Sequence, residues 1–541
     1  MRTSGRLTVY RRSLVTAALL AFALVAAACT SSPGTPSPGS TGNSGGAGSS
    51  GAPASPASSG SPGLPDLKSL AWHACTSQSS GPGLKCATLR VPADYTHPNG
   101  RKISLALSVL PATAPASKRQ GIMLVNPGGP GASGLTLPTD VAQSLNPAVA
   151  AEYDIVGFDP RGVGSSTPAL HCDPSFFHGV RADYIPSGPA AETALVNRAR
   201  GYAADCEKRY GWLLPHMTTQ NSARDMDAIR QALGTRQLSY FGFSYGTYLG
   251  QVYGTLFPGR VHRMVLDSTV DPDGVWWSDN IDQDYAFQNR LNGFFAWAAK
   301  YASSYHLGAT AAAVRGSWYK AREKLKAKPA AGRDGQPAMG ADEFDDTFLY
   351  AGYSNVLWPT LAGALSGYLG SGGSDASGLI DSWQLNGAQD ENEFAVYNAV
   401  QCSDVDWPRG WAYWNSATAK VYKTAPFQAW DNAWYNAACA FWPVKGPARP
   451  LQITGQGLPP ILMLQGTKDA ATPYAGAQDA HRHLPSARMV VLEGDGNHAE
   501  IPMPSCAEGY ADAYLSSGAV PGRSGLVNAT CPAVPDPSPG G

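Results

Sequence analysis

Charge is scarce in this chain. Lys and Arg number 40 against 41 Asp and Glu, charged residues make up 15% of the sequence, and the formal net charge is -1. Without a basic excess there is no electrostatic footprint for nucleic acid, and that function class is set aside. Metal-ligand spacing is also missing. The nine cysteines include no C-x-x-C, and none stands at zinc-ligand distance in sequence from a histidine, so neither metal nor cofactor is expected. The apolar run near the start, "SLVTAALLAFALVAAAC", is too short to span a bilayer comfortably. What the chain does have is length and apolar content. Its 541 residues, 43% of them hydrophobic, are enough for one large domain carrying an insertion, or for two domains.

Residues 1–29 read as an export signal. Arg2, Arg6, Arg11 and Arg12 precede the apolar run, as in a secretory n-region, and Arg11-Arg12 before Ser13-Leu14-Val15 is compatible with a twin-arginine route. Ala26-Ala27-Ala28 satisfies an A-x-A cleavage site. Cys29 directly after it has the place of a lipidated cysteine, although Ala26 stands where a lipobox usually has Leu. Lipidation is the favoured reading, because residues 30–66 are almost wholly Ser, Gly, Pro, Thr and Ala. Such a segment buries too little apolar surface to fold and acts as a linker with a reach of about 30–35 Å. It would tether a globular domain to the outer face of the cytoplasmic membrane, or trail from a secreted one. The lipid would be the only membrane contact.

The remaining eight cysteines imply disulfides in an exported chain. Pairing of sequence neighbours (Cys75–Cys86, Cys172–Cys206, Cys402–Cys439 and Cys506–Cys531) would clip four local excursions.

Strand-like runs alternate with helix-like runs from residue 67 to 274. "GIMLVNPGG" and "YDIVGFDPRGVGSS" read as strands ending in turns. "NSARDMDAIRQALG" places Met226, Ile229 and Leu233 on one helical face. This rhythm predicts a mostly parallel sheet with helices on both faces, and a ligand site at the carboxyl ends of its strands. Residues 275–450 are richer in Trp, Tyr and Ala and have helical spacing, as in "DEFDDTFLYAGYSNVLWPTLAGALSGYL". They predict a mainly helical cap inserted into the core. Strand rhythm resumes over 451–531, and 532–541 reads as a flexible tail.

G-x-S-x-G occurs twice. At Gly42–Gly46 it lies in the linker with no core around it, and there it is composition only. In "LSYFGFSYGTYLG" it joins a strand to a helix, which makes Ser244 a nucleophile at a tight turn with small residues at 242 and 246. A serine needs a base and the base needs an orienting acid. His498 follows the late strand "ARMVVLEGDGNH", whereas His481 and His483 read as solvent-facing helix residues. Asp469 follows the strand "PPILML", and Asp495 is the rival acid three residues before the histidine. A separate strand-end loop reaches the imidazole from the side opposite the serine, which favours Asp469. The order Ser244, Asp469, His498 is that of α/β-hydrolases. The oxyanion donors expected are the N–H groups of Tyr245 and of Gly129 in "NPGGPGASG".

"NPGGPGASG", "YDIVGFDPRGVGSS", "SARDMDAIRQALG", "GFSYGTYLG", "QGTKDAATP" and "GDGNH" resemble the secreted tripeptidyl aminopeptidases of actinobacteria, relatives of proline iminopeptidase. "LYAGYSNVLWPTLAGAL", "VYNAVQCSDVDWP" and "CAFWP" are similar to that family's cap and cap exit. The resemblance runs from about Trp72 to Glu500 and implies the α/β-hydrolase fold and the same triad roles for Ser244, Asp469 and His498. Asn497 and Ala499, on either side of the histidine, depart from the family pattern.

The leading expectation is an exported serine exopeptidase acting on the free N-termini of peptides or proteins. A free α-amino group calls for an anion near the site. The cap offers Asp342, Glu343, Asp345, Asp346, Glu391, Glu393, Asp404 and Asp406, of which Asp404, close to Cys402, is singled out. An esterase, a lipase or an endopeptidase would use the same triad. A catalytically dead envelope binding protein would have lost one of its members, and none is lost.

Overall fold

The computed structural model describes residues 70–75, 81–332, 338–385, 390–522 and 524–539. The signal, Cys29 and the linker up to residue 66 lie outside the described residues. Among the described residues, ten strands form one sheet in the order β1-β2-β3-β5-β4-β6-β7-β8-β9-β10. In chain order these are His73–Ala74, Lys85–Pro92, Lys102–Leu110, Gly121–Asn126, Tyr153–Phe158, Leu238–Phe243, Val261–Asp267, Ile461–Gly466, Ala487–Glu493 and Ala529–Pro532. The first three and β5 meet antiparallel, and from β5 through β10 every pairing is parallel.

Burial follows from that topology. Every residue of β4, β5, β6 and β8 is buried, as apolar runs must be when helices cover both faces. Strands β2 and β3, at the antiparallel end, mix buried and exposed positions. Two core clusters line the two faces of the sheet. On one face Met226, Ile229 and Leu233 are fully buried, on or at the end of helix Thr219–Ala232, which Thr218 caps by accepting from the Asn221 amide.

Between β7 and β8 the chain forms helices Trp277–Lys300, Ala311–Ala327, Ala341–Tyr353, Trp358–Gly370, Ser377–Leu385, Glu391–Asp404, Trp411–Tyr422 and Ala429–Asn436. Residues from Phe287 to Trp383 build their own core around Phe294, Trp318, Phe344 and Phe348. Phe394, Val396, Cys402, Trp407 and Trp414 join the main core instead. The later helices are therefore seated on the sheet domain, while the earlier ones pack mainly on each other.

The segment around Arg181 to Tyr210 belongs with the cap in space. Arg181 Nε lies 2.9 Å from Glu343 and its other end pairs with Asp346. Arg322 reaches Asp183 at 2.8 Å, and Trp434 Nε1 donates to the Tyr184 carbonyl at 2.9 Å. Four disulfides join Cys75–Cys86, Cys172–Cys206, Cys402–Cys439 and Cys506–Cys531. The last anchors β10, and the chain beyond it, expected as a free tail, is held. Val534 N donates to Asp495, Asp536 accepts from Asn355, and the Pro537 carbonyl accepts from Trp297.

Candidate active site

Ser244 is the residue at which strand β6 turns into helix Tyr245–Leu256, and its backbone has φ 54° and ψ -129°. For a non-glycine residue this costs about 1–3 kcal/mol, and it persists only where the surroundings impose it. They do so here. Its amide donates to the Asp267 carbonyl at 3.1 Å, and its carbonyl accepts from Thr247 N and Oγ1 at 2.8 and 2.6 Å. The flanking glycines are steric necessities. A Cβ on Gly242 would sit 2.6 Å from the Gly246 carbonyl carbon, and one on Gly246 would sit 2.7 Å from the Asn126 oxygen. The helix beginning at Tyr245 directs its free N–H groups and dipole at the serine.

The loop after β4 lies against this turn. Gly128 has φ +106°, and a Cβ there would come within 2.8 Å of Ser244 Cβ and 3.1 Å of Tyr245 N. Gly129 follows with φ +102°, and Gly131 packs on the backbone of Glu393, where a Cβ would be 2.6 Å from its oxygen. Sequence reasoning missed Gly128. The doubled glycine carried the signal, but only the packing says which of the two touches the serine.

His498 and Asp469 meet from separate strand-end loops. His498 Nδ1 lies 3.0 and 2.9 Å from the two Asp469 oxygens. Those oxygens also accept from the amides of Ala471 and Thr472 and from Thr472 Oγ1, at 2.9, 3.0 and 2.7 Å. An acceptor-only carboxylate at Nδ1 requires the proton to sit on that nitrogen, leaving Nε2 as the basic atom. Nε2 is buried and has no hydrogen-bond partner among the described residues. Burial alone would raise the Asp469 carboxyl, yet the facing His498 charge and these hydrogen bonds hold it below its ordinary value. For His498 burial favours the neutral ring, and the Asp469 charge and hydrogen bond outweigh it, so the imidazole is raised. Asp267, at the end of β7, accepts from the Glu500 and Ile501 amides at 2.8 and 3.0 Å and secures the loop after the histidine.

Asp495 faces away from the imidazole. One oxygen accepts from the amide and Nδ2 of Asn497, at 2.7 and 2.8 Å, and the other from Val534 N at 2.6 Å. His481 and His483 have their own partners, Asn528 and Asp273. No group of three or more metal-ligating side chains occurs among the described residues.

The cap carboxylates sort themselves by partner. Asp404, singled out from the sequence for the substrate amine, does not have a free carboxylate. Its oxygens accept from Thr219 N and Oγ1 at 2.7 and 2.6 Å, and the Tyr245 phenol contacts the same Oγ1 at 2.8 Å. Asp404 thus holds the start of helix Thr219–Ala232, and burial lifts its carboxyl to about 7 despite those bonds. Glu391 accepts from Cys172 N, Asp173 N and the Tyr202 phenol. Asp342 accepts from Tyr184 N, Glu343 and Asp346 pair with Arg181, Asp345 with Arg322, and Asp406 with Arg409 and Lys445.

Glu393 is the exception. No hydrogen bond or ion pair reaches its carboxylate among the described residues, and burial lifts it to about 7. Burial raises the phenols of Tyr350, Tyr353 and Tyr435, and the Glu393 charge adds to the effect. Tyr353 in turn stands edge-on to the His498 ring, with centroids 5.5 Å apart.

Residues 121–500 match the α/β-hydrolase fold family. Among curated proteins, the chain is 40% identical over 482 residues to "Tripeptidyl aminopeptidase" of Streptomyces lividans, covering 86% of this chain and 87% of the relative. It is 31% identical to "Serine protease Hip1" of Mycobacterium tuberculosis, covering 96% and 98%. It is 33% identical to "Carboxylesterase B" of the same species, covering 84% and 89%. With the sheet order, the strained serine turn and these likenesses together, the chain is a serine hydrolase that belongs to the α/β-hydrolase family, in the group of the actinobacterial tripeptidyl aminopeptidases.

Proposed function

We propose that the protein is an exported serine exopeptidase that releases short peptides, tripeptides foremost, from free N-termini. Ser244 Oγ attacks the scissile carbonyl while His498 Nε2 takes its proton, and Asp469 orients and stabilises the imidazolium. The N–H groups of Tyr245 and Gly129 receive the oxyanion. Collapse expels the shortened chain as an amine protonated by His498. Water, deprotonated by the same nitrogen, then frees the acyl group from Ser244.

The observation that carries this reading is the Glu393 carboxylate, which has no partner among the described residues. Its backbone packs on Gly131 of the oxyanion loop, so an ammonium bound there would be held at a set distance from the carbonyl under attack. Glu393 therefore replaces Asp404 as the residue proposed for the substrate amine. The four disulfides support passage through an oxidising compartment. Cys29, as the lipid-bearing residue, would keep the domain at the outer face of the cytoplasmic membrane.

The relative named as a carboxylesterase favours a second reading, ester hydrolysis with the same triad. One experiment separates them: profile hydrolysis of a tripeptide amide with a free N-terminus, its acetylated form, and a fatty-acyl ester. Strong preference for the free amine is expected. Equal cleavage of the acetylated peptide would refute exopeptidase action, and turnover of the ester alone would establish the esterase.

A further inference from the structure

The four residues Asp495, Gly496, Asn497 and His498 sit at the carboxyl end of β9 in the sheet domain, yet each touches the cap or the C-terminal strap. Asp495 accepts from Val534 N at 2.6 Å. Gly496 lies under Arg290 of helix Trp277–Lys300, and a Cβ on it would be 2.6 Å from Arg290 Nε. Asn497 Oδ1 accepts from Ser354 Oγ and Asn355 N, both at 3.0 Å, just past helix Ala341–Tyr353. The His498 amide donates to the Tyr353 carbonyl at 2.8 Å.

These contacts close a ring. Asn497 N and Nδ2 donate to Asp495. Asp495 accepts from Val534, and two residues on Asp536 accepts from Asn355 Nδ2 at 3.1 Å. Asn355 N then donates back to Asn497. Pro537 is fastened to helix Trp277–Lys300 through Trp297 Nε1 at 2.8 Å, and β10 is fixed to β9 and by Cys506–Cys531. Asn497 is 1% exposed; it joins Asp495 to the cap directly, and the strap enters the ring on either side of it, at Asp495 and Asn355. A polar group so placed cannot be removed without leaving buried partners unsatisfied.

We infer that Asn497 is a positioning residue, and that the cap and C-terminal strap place the His498 imidazole through it. The inference rests on the reading of His498 as the base. On this view the cap is half of the base's mounting as well as a roof. An arrangement with the cap lifted would keep Ser244 on its strained turn but lose the aim of Nε2.

The test uses the full chain and two variants, Asn497→Ala and Asp536→Ala. The second opens the ring at an exposed residue that leaves the histidine loop itself intact. Active sites are titrated with a fluorophosphonate, and kcat and KM per titrated site are measured on an activated ester and on a tripeptide amide, with the pH profile. The expected result for Asn497→Ala is a fall in kcat per site of about 10²-fold with little change in KM, on both substrates, as for an angstrom-scale misplacement of a reacting group. Asp536→Ala should fall less, in the same direction. A purely structural role would instead lower Tm and the titratable fraction while leaving kcat per site unchanged, and that result overturns the inference. His498→Ala is the control. If it still reacts with the fluorophosphonate at the wild-type rate, the base assignment falls and the inference with it. If it is inert while Asn497→Ala is unaffected, only the inference falls.

Discussion

Replacing Glu393 by glutamine keeps the shape of the side chain and removes its charge. Among the described residues the carboxylate has no partner of its own, and its charge bears on the phenols of Tyr350, Tyr353 and Tyr435. A substrate ammonium would therefore supply the whole of its compensation. Breaking a buried, hydrogen-bonded charge pair from one side costs about 2–5 kcal/mol, which is about 30- to 4000-fold in kcat/KM. Acetylating the substrate breaks the same pair from the other side. The two losses should not add, so Glu393→Gln should cleave free and acetylated tripeptide amides at similar, low efficiency.

The pH dependence gives an independent readout. Burial raises the Glu393 carboxyl to about 7 in the free enzyme, so its charge is present above that pH and is lost as pH falls through it. Binding of free-amine substrates should weaken correspondingly, while in Glu393→Gln the acid limb should come from His498 alone. His498 must be neutral to act as base, and its raised value moves that limb upward. The assay is kcat/KM for the substrate pair between pH 5 and 9, in about half-unit steps. An equal loss on both substrates, or no loss on the free amine, would refute the assignment of Glu393.

Further outcomes follow from the same geometry. Ser244→Ala should abolish fluorophosphonate labelling and lower turnover by about 10⁴-fold or more, and normal labelling would place the nucleophile elsewhere. Asp469→Asn should be far more damaging to kcat than Asp495→Asn, because Asp469 touches the imidazole and Asp495 only its loop; steady-state kinetics giving the reverse order would reassign the acid. Cys29→Ser should move the protein from the membrane fraction to the medium on cell fractionation, and unchanged partitioning would make Ala28–Cys29 a plain cleavage site.

The serine turn was legible in the sequence because its pattern fits in one short stretch between a strand and a helix. The demand at 242 is local, since a side chain there would meet Gly246, whereas the glycine at 246 also answers to Asn126 on β4. Asp469 and His498 could be picked out nearly as directly, since each ends an apolar strand run. Their meeting at 2.9 Å needed β8 and β9 to pair in register. The cap carboxylates were another matter. Glu393 and Asp404 lie on one helix and look alike in sequence. One has no partner among the described residues, and the other is bound by Thr219, 185 residues away. Nothing local separates them, because a carboxylate is made free or occupied by its neighbours in space. The same holds for residues 534–537, whose composition suggests a loose end. They hold the His498 loop only because β10 brings them back beside Asp495 and the cap. Sequence alone determined the elements and singled out Ser244, through the strand–turn–helix pattern and apolar periodicity. Tertiary structure decided which charged groups are paired among the described residues and what holds the His498 loop, because both depend on contacts between residues far apart in the chain.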